Sequence, residues 1–422
     1  MTGPMQLPSG LVPVQDRRGF SLVELMVALT GGLFVSVIVF AMARQGTRFY
    51  QQETRVAEAT LASTIGMQRL RADIGRAGYM SSIFIDPSGS DPNLCMNYAT
   101  STLSLLREMR SVQITKVDSL GGNTDPDNAS IKADTIQLSG AYQNSDRFIA
   151  GFIQFNGLAT VVPLQPNIGA LARWRYLQPT TDKQALLTQL FPTGRLLRLV
   201  NQYGRVAYGL ITGVSPIGDP ANLLPTITLS TSLPLPQGPP CTFSGVGVEV
   251  NVVNFIRYRI ASLKNDTTYS GSYGQLYNST LANSNPADVY RTELIREELD
   301  PVTGQAFANT PPEIVAEYAI DLKFEGLVTP ALGPNQTALA VTTPTAGDIY
   351  TITSGAVGAG QPQRVRSLRA RLSVRSREAD RTSNVPAAMS AKGRYRIAVG
   401  ADQLTFARVR TVQTDIAIPN HF

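Results

Sequence analysis

Arg17-Arg18-Gly19-Phe20-Ser21-Leu22-Val23-Glu24-Leu25-Met26-Val27-Ala28-Leu29-Thr30, continued by Gly31-Gly32-Leu33-Phe34-Val35-Ser36-Val37-Ile38-Val39-Phe40-Ala41-Met42, is the stretch that decides how this chain is organised. From Phe20 to Met42 it runs for 23 residues with a single charge, Glu24. At about 1.5 Å per residue that length crosses a hydrocarbon core about 30 Å thick. Arg17 and Arg18 flank its N-terminal side, which places that side in the cytoplasm and the rest of the chain across the membrane. Residues 1–19 are polar and carry Pro4, Pro8 and Pro13. The apolar run does not end in a small-x-small cleavage site but flows into a helical pattern, so the span is expected to be retained.

Working outward, no Pro occurs between Phe20 and about Ala77. Phe49, Val56, Met67, Leu70, Ile74 and Ala77 fall on a 3–4 spacing, which predicts an amphipathic helix continuing the span. The whole helix would then be roughly 85 Å long. Gly75 and Gly78 supply its stop, and Gly31, Gly32 and Gly46 are points where it can bend. The stripe lacks Leu at regular d positions, which weighs against a coiled-coil seam. The expected organisation is therefore a leader at 1–19, a transmembrane half-helix at 20–42, an amphipathic half at 43–78 and a β-rich body at 79–422.

In the body, strands are read at Ile136–Leu138, Phe148–Phe155, Leu196–Val200, Val206–Ile211, Val246–Arg259, Tyr318–Phe324, Leu368–Val374 and Arg408–Ile418. Long loops are expected near 216–240, which is Pro-rich, near 262–290, which is rich in Ser, Asn, Thr and Tyr, and near 326–363. The fold class is α+β: a long N-terminal helix packed on a large, mostly antiparallel β-rich body.

The 422 residues include 37 Lys+Arg and 31 Asp+Glu, a net charge of +6. That modest, scattered excess does not call for a nucleic-acid partner. A 43% hydrophobic share rules out a wholly disordered chain. One His, His421, and two Cys argue against most zinc, haem and iron–sulfur sites and against a Ser–His–Asp triad, so no cofactor, no metal and no enzymatic activity are expected. Cys95 and Cys241 fall in an oxidising compartment by the topology above and are expected to be either bridged or both buried.

Several motifs are weaker. Gly355–Gly360 lacks the following helix that a phosphate loop needs. Asn123, Asp125, Asp127 and Asp134 fall at calcium-loop offsets, but Pro126 interrupts them and Asn128 replaces the turn Gly, so a solvated turn is preferred. Tyr269, Tyr273 and Tyr277 could form a contact patch, although packing on the body is the favoured reading. Arg369, Arg371 and Arg375 form a row without interleaved aromatics, which fits a solvated face or pairing with acidic neighbours better than nucleic acid.

Glu24 is the polar exception inside the span, and a carboxylate there is a functional signal by default; the bland alternative is a residue snorkelling near the helix end. Arg18-Gly19-Phe20-Ser21-Leu22-Val23-Glu24 resembles the class III signal of type IV prepilins and type II secretion pseudopilins. The resemblance implies cleavage by a prepilin peptidase between Gly19 and Phe20, N-methylation of Phe20, and Glu24 as the fifth mature residue. Cleavage would leave a cationic amine at the edge of an apolar environment, and a buried cation needs a counter-charge. The amine could pair with Glu24 of its own helix or of a neighbour, and the second pairing would set axial register.

Met67-Gln-Arg-Leu-Arg-Ala-Asp-Ile-Gly-Arg-Ala-Gly-Tyr79 is similar to the end of the helix in PilW-like minor pilins, although Met80-Ser81 stands where that family has Trp-Gly. Weaker similarities lie at Asp134–Leu138, Phe255–Ile260, Val365–Leu372 and Arg408–Val412. The resemblance implies a minor pilin that helps prime type IV pilus assembly and sits at the pilus tip, with other minor pilins, the major pilin, a tip adhesin and the inner-membrane assembly platform as partners. Membrane lipid would surround the helix before assembly. A type II secretion minor pseudopilin and a membrane-anchored periplasmic binding protein are the alternatives.

Overall fold

The computed structural model describes residues 21–85, 93–98, 101–107, 109–116, 133–153, 161–219, 224–232, 235, 241–243, 247–263, 269, 273, 291–308, 310–328, 365–377, 396–398 and 406–421. Four helices occur among them: α1 at Leu22–Gly75, α2 at Ser104–Arg107, α3 at Gly169–Arg173 and α4 at Lys183–Leu190. The strands are β1 Val112–Lys116, β2 Asp134–Gly140, β3 Phe148–Ile149, β4 Val161–Pro163, β5 Leu196–Val200, β6 Val206–Asp219, β7 Leu224–Leu229, β8 Glu249–Ala261, β9 Glu293–Leu299, β10 Glu313–Glu317, β11 Ala319–Val328, β12 Val365–Arg375, β13 Arg396–Ala398 and β14 Phe406–Ala417. A 3-10 turn follows at Pro419–His421.

The chain is α+β and falls into two compact units, Met1–Arg55 and Val56–Phe422. The split falls within α1, near where its side chains first become shielded, at Arg55 and Val56. In the first unit, α1 carries an 18-residue stretch of mean hydropathy 2.4 with none of it buried, long and apolar enough to cross a membrane. Its hydroxyls bond back to the helix, Thr30 Oγ1 to the Met26 carbonyl at 2.9 Å and Ser36 Oγ to the Gly32 carbonyl at 2.8 Å, so they add no unsatisfied donor to the apolar surface.

The second unit is built on two antiparallel sheets. The larger has ten strands in the order β1-β2-β8-β5-β6-β7-β4, with β9 and β3 also paired to β8 and β10 paired to β9. Strand β8 is its axis. Its first half pairs with β5 and β3, and its second half with β2 and β9. The smaller sheet has four strands in the order β11-β12-β14-β13.

Met67, Leu70, Ile74 and Ala77 bring one face of the helical segment into a core shared with both sheets, against Ile136, Leu138, Tyr258, Leu322, Leu368 and Leu372 among others. Full burial of a side chain such as Leu70 stabilises by about 1.5–3 kcal/mol. Gly66 lets the segment approach closely: a Cβ there would lie 3.0 Å from Ala316 Cβ and 3.1 Å from Leu372 Cδ2. A second core gathers α3, α4 and β5–β7, with Phe148 and Phe191 packed edge to face at 4.7 Å. A third lies beneath α2, around Tyr98, Leu106, Met109 and Tyr208.

Two strand expectations are corrected. The 216–240 stretch is not one extended loop, since Pro216–Asp219 ends β6 and Leu224–Leu229 returns as β7, with Val214 opposite Ile227. The alternating apolar residues of 224–229 supply a buried face that outweighs the flanking prolines. Among the described residues 148–153 of the strand expected over Phe148–Phe155, Phe148–Ile149 form the regular strand, and positions 154–155 lie outside the described residues. Of the loops expected near 262–290 and 326–363, positions 264–268, 270–272, 274–290 and 329–363 lie outside the described residues.

Candidate functional site

Arg17, Arg18, Gly19 and Phe20 lie outside the described residues. The description begins at Ser21, which caps α1. Ser21 Oγ accepts from the Glu24 N–H at 3.2 Å, and Glu24 Oε2 accepts from the Ser21 N–H at 3.0 Å. This reciprocal capping box serves two of the donors that a helix start leaves open, and it places the carboxylate at the positive end of the helix dipole. The amine partner expected for Glu24, on Phe20, lies outside the described residues, and the capping role comes in addition to that expectation. The Ser-x-x-Glu spacing was the signal that would have revealed it.

Asp73 fixes the other end of α1 to the large sheet. Its Oδ2 accepts from the Tyr258 hydroxyl and from Arg296 Nε, both at 2.7 Å, and Arg69 Nη1 lies 3.8 Å from Oδ1. The Tyr142 hydroxyl donates to the Asp73 backbone carbonyl at 3.2 Å. Arg69 also grips Glu313 of β10 through two bonds of 3.1 and 3.0 Å. Burial pushes the Tyr258 hydroxyl far above the usual phenol value, and the Asp73 carboxylate adds to it. Burial works against the Arg296 charge, but Asp73 outweighs it and holds that guanidinium above the usual arginine value. Asp73 is a docking residue: fully paired in the interior, it selects one seating of the helix on the sheet.

The helix ends just beyond, with Gly78 at φ +75°, a conformation that favours glycine. Asn420 closes it from far along the chain, its Nδ2 donating to the carbonyls of Gly75 at 3.3 Å and Ala77 at 3.1 Å.

Beside this closure lies a cavity of about 420 Å³, lined by Gly78 to Ser81 together with Arg147, Arg198, Val200, Glu249, Asn251 and Asn420. Arg147 and Glu249 face each other at 3.6 Å on its exposed side. Arg198 is half-buried; its Nε has no hydrogen-bond partner, and its Nη1 lies 3.5 Å from Asn251 Oδ1. Burial holds the nearby Tyr208 hydroxyl above the usual phenol value although Arg198 pulls the other way.

Cys95 and Cys241 are bridged, with Cα atoms 5.3 Å apart and 146 residues between them in sequence. Both Asp134 oxygens are held by protein donors, Lys323 Nζ and the Phe324 N–H, each at 3.1 Å. That engagement removes Asp134 from the calcium-type spacing and ties β2 to β11; Asn123, Asp125 and Asp127 lie outside the described residues. Among the described residues no group of three or more His, Cys, Asp or Glu is arranged to hold a metal. Arg369 pairs with Asp415 at 2.7 Å and Arg371 with Asp321 at 3.2 Å, the expected pairing with acidic neighbours, whereas Arg375 departs from it, being buried and stacked over Tyr318 at 4.9 Å. Tyr269 is buried and donates to Glu297 at 2.8 Å, and Tyr273 donates to the Pro312 carbonyl, so these two tyrosines pack on the body; Tyr277 lies outside the described residues. No known family, characterised protein or solved structure matches this chain.

Proposed function

We propose that this chain is a minor pilin, a structural assembly protein and not an enzyme, held in the bacterial inner membrane by its N-terminal helix with its body in the periplasm before assembly. The observation that carries the reading is the two-sided character of α1. Leu22 to Met42 expose their apolar side chains around the helix, starting two residues after Phe20, and the only charge in that run closes a capping box. Within the second unit, Met67, Leu70 and Ile74 are buried, while Leu61 and Ile65 stay 62% and 52% exposed. A helix with one face locked to its own body and another left apolar suits packing among other helices once lipid is exchanged for a filament. The partners are other minor pilins, the major pilin and a tip adhesin. Prepilin peptidase and the inner-membrane platform act before assembly. The large body suits a tip or priming position, where one side is free, better than a repeating shaft.

The test is expression of the full chain in a piliated strain that needs it. The mature protein is expected to begin at methylated Phe20, and Gly19→Val should leave the longer precursor in the membrane. Glu24→Ala should be cleaved normally yet lower the number of surface pili. Mature-sized protein from Gly19→Val, or a copy number in sheared pili close to that of the shaft subunit, would count against this function.

A further inference from the structure

We propose that the cavity beside the end of α1 binds a sugar acid, a hexuronate-class ligand, with Arg198 holding its carboxylate. The proposal stands apart from the assembly role and on separate residues.

The charge balance comes first. Arg147 and Glu249 face each other at 3.6 Å and offset one another at the exposed side. Arg198 has no carboxylate partner among the described ion pairs, and its buried Nε has no hydrogen-bond partner. Its contacts are neutral: Asn251 Oδ1 at 3.5 Å and the Tyr208 hydroxyl. The cavity therefore lacks one negative charge, and a guanidinium is the side chain whose planar fork matches a carboxylate.

Its size and its acceptors narrow the class. At about 420 Å³ it falls within the range of small-molecule sites and is far larger than a bare ion needs. Asn420 gives both Nδ2 bonds to the Gly75 and Ala77 carbonyls, so its orientation is set and its Oδ1 remains as an acceptor. Asn251 is fixed likewise by its Nδ2 bond to the Met80 carbonyl at 2.7 Å. Half-buried Tyr79 lines the same space. A ligand that suits these groups presents hydroxyl donors beside one carboxylate. A sugar acid does both, whereas a fatty acid has no hydroxyls and a phosphate brings more charge than one arginine offsets.

The test uses the full chain in detergent, titrated with sodium D-glucuronate, D-glucose and sodium acetate and read by calorimetry and saturation-transfer NMR. Glucuronate is expected to bind saturably, and glucose and acetate at least about tenfold more weakly, because each lacks one half of the recognition. Arg198→Gln should weaken glucuronate by about tenfold or more, and Arg147→Gln by much less. Arg198→Lys keeps the charge but loses the fork; it should fall between wild type and Arg198→Gln and carries the test if Arg198→Gln does not fold. Absence of saturable glucuronate binding, acetate binding as tightly as glucuronate, or an unchanged affinity in Arg198→Lys or Arg198→Gln would overturn the proposal. None of these readouts depends on pilus assembly, so failure here leaves the assembly role to be judged on its own test.

Discussion

At the scale of single residues, Gly66 and Asp73 decide whether α1 can seat on its body. A methyl group at 66 meets Ala316 Cβ, which is anchored to the backbone and cannot swing aside, as well as the Leu372 side chain. Overpacking of this kind costs about 1–3 kcal/mol. Alanine returns about 1 kcal/mol through its better helix propensity. Gly66→Ala should therefore lower stability by up to about 2 kcal/mol, and Gly66→Leu by clearly more. Guanidinium unfolding of the full chain in detergent would measure both, and an unchanged midpoint for Gly66→Leu would mean that the close approach does not exist. Asp73→Asn keeps the shape but strips the charge that Arg296 and Tyr258 face, while Arg296 retains Glu313 at 3.6 Å as a second carboxylate. Losing a charged acceptor for a buried donor costs about 1.5–3 kcal/mol, and the same unfolding experiment should register a loss of that order.

At the scale of elements, the parts of the fold that could be read locally are those whose pattern is local. The helix announced itself through a Pro-free run and its apolar spacing, and β8 through Phe255-Ile-Arg-Tyr-Arg-Ile260. Strand β9 did not. Glu293-Leu-Ile-Arg-Glu-Glu-Leu299 carries enough charge to look solvated, yet Glu293 and Glu297 are both buried. The reason lies outside the strand: Arg257 Nε and Arg259 Nη2 of β8 reach Glu297 at 2.8 and 2.7 Å, and Arg291, just before β9, reaches Glu293 through Nε at 2.5 Å. Burial alone would push the Glu297 carboxyl up, but Arg259 and Arg257 together hold it below the usual carboxylate value. The docking site was legible to the same degree. Asp73 lies within the stretch quoted for its resemblance, but its partners Tyr258 and Arg296 are 185 and 223 residues away, and no local spacing encodes a pairing at that distance. The cavity around Arg198 was not legible at all, because it gathers residues from five separate parts of the chain.

At the scale of the whole second unit, three cores share one long strand, and the Cys95–Cys241 bridge ties the segment before α2 to the turn before β8. A bridge spanning 146 residues removes unfolded-state freedom worth about 4–5 kcal/mol in the chain-entropy model. Reduction and alkylation should therefore lower the melting temperature of the detergent-solubilised chain, and a melting curve indifferent to reductant would show that the bridge adds nothing to stability. The closure of α1 by Asn420 has a consequence in time. The carbonyls of Gly75 and Ala77 are made early and receive their cap from a residue that follows by 345 and 343 positions. At about 5–20 residues per second, a ribosome needs roughly 17–70 s to add that much chain. Through that interval the sheets that bury Leu70 and Ile74 are themselves incomplete, so a newborn helix must keep its inward face covered by something other than its own body.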